Sequence, residues 1–182
     1  MNKTAAGVTM LLMCLLAPTA ADARNPSSVK LEDTLRVLKT RQDPTPADFA
    51  TVGSGVDAVL VDLMGNLKVD AEIRCRAARA LGFYPGQPTR AVLMNAVFSN
   101  DVEVSVRSAA MLGLARAFRD EVVEDLKAFL NGGSPQLRCG AAAALGEVGG
   151  DRIRVFLMDA IEHEPILEVR VAMEKALKRM TP

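Results

Sequence analysis

Four segments of the chain align without gaps at a nearly constant spacing. They are EIRCRAARALGFY from Glu72, EVSVRSAAMLGLA from Glu103, QLRCGAAAALGEV from Gln136 and EVRVAMEKALKRM from Glu168. Their starts lie 31, 33 and 32 residues apart. A period held this closely over four copies marks a stack of similar units. Each unit is too small to bury its own apolar face and does so against its neighbours.

Each unit reads as two helices, with the aligned segment as the second. Asp70, Asp101 and Ser134 stand two residues before it, placed as N-caps whose side-chain oxygen accepts from an orphan amide. Pro135 follows Ser134 at the first helical position, where its missing N–H costs nothing. Gly82, Gly113 and Gly146 follow a Leu near where the helix ends or bends. The preceding helices have apolar residues at helical spacing, such as Val122, Leu126 and Leu130, with Thr89, Asp120 and Asp151 as N-caps. VDAVLVDLMGN would be the first helix of the first unit. Asn131-Gly132-Gly133 and Gly149-Gly150 are turns, because they tolerate φ > 0. Connections this short make successive helices antiparallel neighbours.

On a helical wheel, Ile73, Ala77, Ala80 and Leu81 share one stripe of the first second-helix. The same stripe runs through Val104, Ser108, Met111 and Leu112, and through Leu137, Ala141, Ala144 and Leu145. Small residues beside a large Leu let neighbouring units approach closely. In the last copy Met173, Glu174 and Lys178 replace small residues, consistent with a polar face on a unit that has no successor. At the other end, Leu31, Leu35 and Leu38 line one face of a helix that could cap the first unit. TRQDPTPADFATVGSG links the two, with Thr45 and Pro46 starting a short helix.

The segments DAEIRCRAARALG (Asp70 to Gly82) and SPQLRCGAAAALG (Ser134 to Gly146) resemble HEAT-like repeats of the short type found in phycobilin lyases. The second copy has Ser105 where that pattern wants Arg. The last copy keeps Val169, Arg170, Ala176 and Leu177. The resemblance spans roughly residues 55 to 180 and implies an all-α superhelix, a HEAT-like solenoid of about four helical hairpins with an N-terminal helical cap. It also implies a structural role for Arg74, Arg138 and Arg170, tying neighbouring units together through the capping acids. The fold itself hosts many unrelated functions.

The expected organisation is a signal peptide over 1–23, a capping helix and linker over 24–54, and repeats over 55–182. The units fall near 55–86, 87–118, 119–150 and 151–182. The leader has Lys3, an apolar run from about Ala5 to Ala17, and a small-x-small site at Ala21-Asp22-Ala23. It is short for a membrane span. Export with cleavage near Arg24 is expected, placing the protein in the periplasm or outside the cell. Lipid attachment at Cys14 is the weaker alternative, because Met13 is not small.

The 22 basic side chains balance 22 acidic ones. A strongly basic nucleic-acid or anionic-membrane binder is therefore not indicated. Cys75 and Cys139 hold the same repeat position, with Val106 and Val171 in the other copies, which points to apolar packing. Two units apart, they are separated by roughly 20 Å at about 10 Å per stacked helix, and a disulfide needs Cα atoms within about 7 Å. An intermolecular bridge stays open. GEVGGD follows a helix instead of a strand and so lacks the context of a phosphate loop. His163, the lone histidine, sits between Glu162 and Glu164 without zinc-ligand spacing. No nucleophile–histidine–acid set exists. No catalytic residue, cofactor or metal is expected.

The remaining candidate is a surface, the arc opposite the core on the second helices. It carries Glu72, Arg76 and Arg79, then Glu103, Arg107 and Ala110, then Gln136, Gly140 and Ala143, then Glu168, Ala172 and Lys175. Gly140 and Ala143 leave a bare patch between Arg107 and Lys175. The expectation is a non-catalytic protein-binding or scaffold module of the cell envelope, taking a partner domain or extended peptide on its concave face. The alternatives are a bilin lyase-like enzyme or accessory, and a self-associating structural envelope protein.

Overall fold

A computed structural model describes residues 26–40 and 44–180. The expected signal segment, with Cys14, lies outside the described residues. Every regular element among the described residues is helical: α1 (Pro26–Thr40), α2 (Pro46–Ala50), α3 (Val56–Gly65), α4 (Ala71–Leu81), α5 (Gln87–Phe98), α6 (Val104–Phe118), a 3-10 turn (Arg119–Val122), α7 (Val123–Lys127), α8 (Pro135–Val148), α9 (Asp151–His163) and α10 (Leu167–Arg179). The second helices α4, α6, α8 and α10 pack in series, and α3, α5, α7 and α9 lie against them. One apolar core runs unbroken from Leu38 to Ala176.

The second-helix row is tight because small residues remove the side chains that would hold helices apart. A Cβ on Gly113 would stand 2.4 Å from the Ala78 carbonyl oxygen, and one on Gly146 would stand 2.8 Å from Ala176 Cβ. Gly113 and Gly146 therefore lie inside α6 and α8 as close-approach points, and neither glycine ends its helix. The first helices do not form a comparably packed row. The closer row lies on the inside of a curved stack, so the second helices form the concave wall.

The structure shifts the register of the second copy by two residues. The N-caps of the second helices are Asp70, Glu103, Ser134 and Ile166. Counted from these caps, an arginine stands four residues on in every unit (Arg74, Arg107, Arg138, Arg170), and a leucine eleven residues on (Leu81, Leu114, Leu145, Leu177). The Leu112-Gly113 pair had imitated Leu81-Gly82 and drawn the alignment out of phase. Burial follows the corrected register: Met111 and Leu114 are fully buried, whereas Leu112 is only half-buried.

Asp70 and Ser134 cap as expected, accepting from the amides of Glu72 at 2.8 Å and Leu137 at 3.3 Å. Asp101 does not, because α6 begins at Val104. Thr89 lies within α5, whose first turn holds Pro88, and it is buried. Asp120 falls in the 3-10 turn, and Asp151 is the first residue of α9, behind Gly150 at φ +102°. The first helix of the third unit is short. Arg119 adopts φ +46° and aims its guanidinium at the Glu147 and Val148 carbonyls, at 3.1 and 2.8 Å. It thereby satisfies orphan acceptors at the end of α8.

At the N-terminal end, α1 packs across α3 and α4. Leu38 is fully buried, and Leu31 is exposed. The Thr45 amide and hydroxyl both donate to Asp48 Oδ2, at 2.8 and 2.7 Å, closing α2 behind Pro46 and seating Phe49 in the core.

Candidate concave interaction face

Behind the concave wall runs a ladder of arginines. Arg74 donates its Nε to the Met64 carbonyl at 3.1 Å and its Nη1 to Glu103, the cap of α6, at 3.1 Å. Arg107 repeats the first bond on the Val97 carbonyl at 2.9 Å and turns its Nη1 to Asn100 at 3.2 Å. Arg138 grips Glu164 through two bonds, Nε at 2.6 Å and Nη2 at 3.0 Å. Glu164 is buried, and its carboxylate also accepts from the Ile166 amide at 3.0 Å. The Arg138 hydrogen bond, foremost, holds the Glu164 carboxyl below the usual carboxylate range. Arg74 and Arg138 thus tie neighbouring units together, as the resemblance implied. Arg107 is the rung that the shifted alignment hid. Arg170 does not complete the set: its buried Nε has no acceptor among the described residues.

The expected surface residues do not share one open face. Arg107 and Ala110 are in the interior. Arg76 is half-buried, donating to Glu72 at 2.9 Å and to the Leu38 carbonyl at 2.7 Å, so it fastens the cap helix to the first unit. Arg79 is half-buried and lies 3.7 Å from the same Glu72. Gly140 is buried where α8 crosses α6, and its missing Cβ would meet Ser108 Cβ at 2.7 Å. Ala143 is half-buried and Lys175 exposed.

Around Gly140, however, the concave wall does open. A groove of about 360 Å³ is lined by Ser105, Ser108, Pro135, Gln136, Cys139, Gly140 and Glu168, drawn from α6, α8 and α10. Its floor is low because Gly140 lets α6 close in, and because Ser108 and Cys139, at matching helix positions, are both small. Ser108 donates across the unit boundary to the Gln136 carbonyl at 3.2 Å and fixes the groove's two sides. Of these residues Gln136, Gly140 and Glu168 were on the expected arc, and Ser105, Ser108, Pro135 and Cys139 were not. Counting positions from the repeated arginine would have placed Ser105, Gln136 and Glu168 on one row, and Ser108 with Cys139 on the next.

Cys75 and Cys139 are both free. Cys75 is buried and Cys139 half-buried on the groove, and burial foremost pushes both thiols up in pKa, away from the reactive thiolate. In the corrected register the second copy's counterpart is Ser108, not Val106. His163 is exposed, and its Nδ1 donates to the Asp159 carbonyl at 2.9 Å. Among the described residues no cluster of His, Cys, Asp or Glu is placed to hold a metal ion, and no helix is long and apolar enough to cross a membrane. A larger depression, about 1000 Å³, lies where α1 covers α3 incompletely, and is walled mainly by Leu31, Leu35, Val59, Val61, Leu63 and Val69.

The family model for HEAT repeats matches residues 91–178, from within α5 almost to the end of α10. The matched segment is therefore built of HEAT repeats, and the described residues before it continue the same stack of two-helix units, with the same spacing of caps, arginines and leucines. Repeats of this family commonly mediate protein–protein interaction and are typically non-catalytic. No curated protein matches the chain.

Proposed function

We infer that this protein is a non-catalytic scaffold of the cell envelope that holds a protein partner along its concave wall. The observation carrying this reading is the groove on that wall, with a floor of small side chains. A wall built by backbone-close packing is ordered before the partner arrives, which lowers the entropic cost of binding. The floor suits an extended peptide, since Ser105 and Gln136 offer exposed hydroxyl and amide groups to a peptide backbone and no large side chain obstructs it. Glu168 at one edge favours a basic residue in the peptide. Placement in the envelope rests on the leader-like segment of residues 1–23.

A photo-reactive amino acid placed at Gln136 or Ser105 tests this in the native cell. One defined protein adduct should form from both positions and none from Asp120 on the first-helix side. Ser105→Arg with Gln136→Arg should then remove the adduct formed from position 168 without changing the melting temperature. Equal labelling from Asp120, or an adduct that survives the double substitution, would place the partner elsewhere.

A further inference from the structure

We propose that the segment held in the concave groove crosses the wall in a polyproline-II conformation. It seats an aliphatic side chain in the dip over Gly140 and, three residues away, a lysine or arginine on Glu168. This inference rests on the peptide reading of the groove and names the chemistry of the peptide.

The charge follows from a contrast between repeats. Counted from the caps, Glu168 holds the same position as Glu72. Glu72 is neutralised within its own helix, by Arg76 at 2.9 Å and Arg79 at 3.7 Å. In α10 the residue four positions on is Ala172, and Glu168 has no ion pair among the described residues. The acids at the unit boundaries are also occupied, Glu103 by Arg74, Glu147 by Arg116 and Glu164 by Arg138. Glu168 is the only charged residue among those lining the groove. Its field reaches back to α8: burial first, and then this carboxylate, push the Cys139 thiol up in pKa. Glu168 therefore faces into the stack and not past the last unit. An exposed carboxylate beside neutral hydroxyl and amide groups is complemented by a cation from the partner.

The dip accounts for the second side chain. A Cβ on Gly140 would stand 2.7 Å from Ser108 Cβ, so the floor is main chain and carbon. Cys139 beside it is a neutral thiol, small and weakly polar. The Ser108 hydroxyl already donates its hydrogen to the Gln136 carbonyl at 3.2 Å. An aliphatic group entering here displaces water from a surface with little left to donate. Ser105 and Gln136 on the rim stay available to the peptide main chain.

The spacing follows from the stack. Packed helix axes lie about 8–10 Å apart, so the dip on α8 and Glu168 on α10 are one such step apart. A polyproline-II segment advances about 9 Å in each turn of three residues, so residues three apart both face the wall. In a β-strand, side chains alternate, and residues three apart point to opposite faces. The polyproline-II form alone fills both subsites, and it leaves the main-chain polar groups free for Ser105 and Gln136.

A positional-scanning array of short synthetic peptides, probed with the purified full chain, tests this. Retained peptides should carry Lys or Arg three residues from Leu, Ile, Val or Met, in one fixed order. Glu168→Gln should weaken the best peptide by about two- to fivefold, the range of an exposed ion pair. Glu168→Lys should exchange the basic preference for an acidic one, with the melting temperature unchanged because the side chain is exposed. Suppose retained peptides are lost on Ser105→Arg with Gln136→Arg, yet keep their basic preference against Glu168→Lys or show another spacing. That result overturns this inference and leaves the groove as the peptide site. Peptides indifferent to the double arginine substitution, or none retained at millimolar concentration, overturn both. Displacement of the best peptide by free cadaverine at equal affinity would make the site one for a small diamine, and overturns the proposal as well.

Discussion

The two rows of helices in this stack are held together by different means. The second helices meet backbone to backbone, through Gly113 on the Ala78 carbonyl and Gly146 on Ala176. The first helices meet through side-chain tips. Phe98 and Phe129 meet as tilted rings at 5.3 Å between centroids, the Lys127 ammonium sits 3.8 Å from the Phe156 ring centroid, and Arg152 pairs with Glu124. Contact through backbone has no compliance, and contact through long side chains has several rotatable bonds of it. The concave wall is therefore the fixed element, and the outer row is the one that can accommodate change.

The sharpest way to break that contrast is at Gly113. Gly→Ala in a helix interior ordinarily gains up to about 1 kcal/mol. Here the new Cβ would sit 2.4 Å from a main-chain oxygen, which cannot rotate away. Overpacking of this kind costs roughly 1–3 kcal/mol, sometimes more, and outweighs the gain. Gly113→Ala should lower the melting temperature by several degrees, on the order of 2–4 °C for each kcal/mol in a chain this long. Gly65→Ala at the end of α3, where nothing lies within 4 Å, should leave it unchanged or raise it. A thermal melt in which the two variants behave alike would dissolve the distinction between rows.

The arginine ladder offers a second, pH-dependent probe. Glu164 is 3% exposed and bound twice by Arg138, whereas Glu103, paired with Arg74, is 55% exposed. Removing the acceptor with Glu164→Gln should cost roughly 1.5–3 kcal/mol at neutral pH, the range for buried hydrogen bonds to a charged group. Glu103→Gln should cost no more than about 1 kcal/mol. Folding lowers the Glu164 pKa, so its stabilisation is fully present above the unfolded value, about 4.3, and is lost as pH falls through the lower folded value. The gap between Glu164→Gln and the unsubstituted protein should therefore close in acid. Urea melts at neutral pH and near pH 3 measure it, and a gap that widens in acid would mean that the pair is not what Glu164 contributes.

The period, the two-helix unit and the capping roles of Asp70 and Ser134 were legible in the sequence because they depend on local chemistry. The register of the second copy was not. Its Leu112-Gly113 dipeptide reproduces a local pattern, while its place in the stack is set by Arg107 reaching the Val97 carbonyl, a contact between two helices. That two-residue displacement moved Arg107 from the core to an imagined surface. It also took Ser105 out of the row that Gln136 and Glu168 share along the groove. Gly140 was picked out correctly as unusual, but for what it omits: it is small because Ser108 lies against it, and the opening forms beside it. The shortness of α7 was equally out of reach, since it depends on Arg119 turning back onto the carbonyls that end α8.

The outer row supplies the smallest expected effects and the final check on the contrast. Lys127→Met keeps the aliphatic stem over Phe156 and removes only the charge, so the loss is that of a partly exposed cation–π contact, about 0.5–1 kcal/mol. The Glu124–Arg152 pair is 63% exposed on both sides, and a double-mutant cycle should return a coupling below about 1 kcal/mol that fades with added salt. Both substitutions leave the Gly113 and Gly146 contacts untouched, so the concave groove should keep its shape and any partner bound there its affinity. A cost above 2 kcal/mol for Lys127→Met would mean that the first helices also hold the stack rigidly.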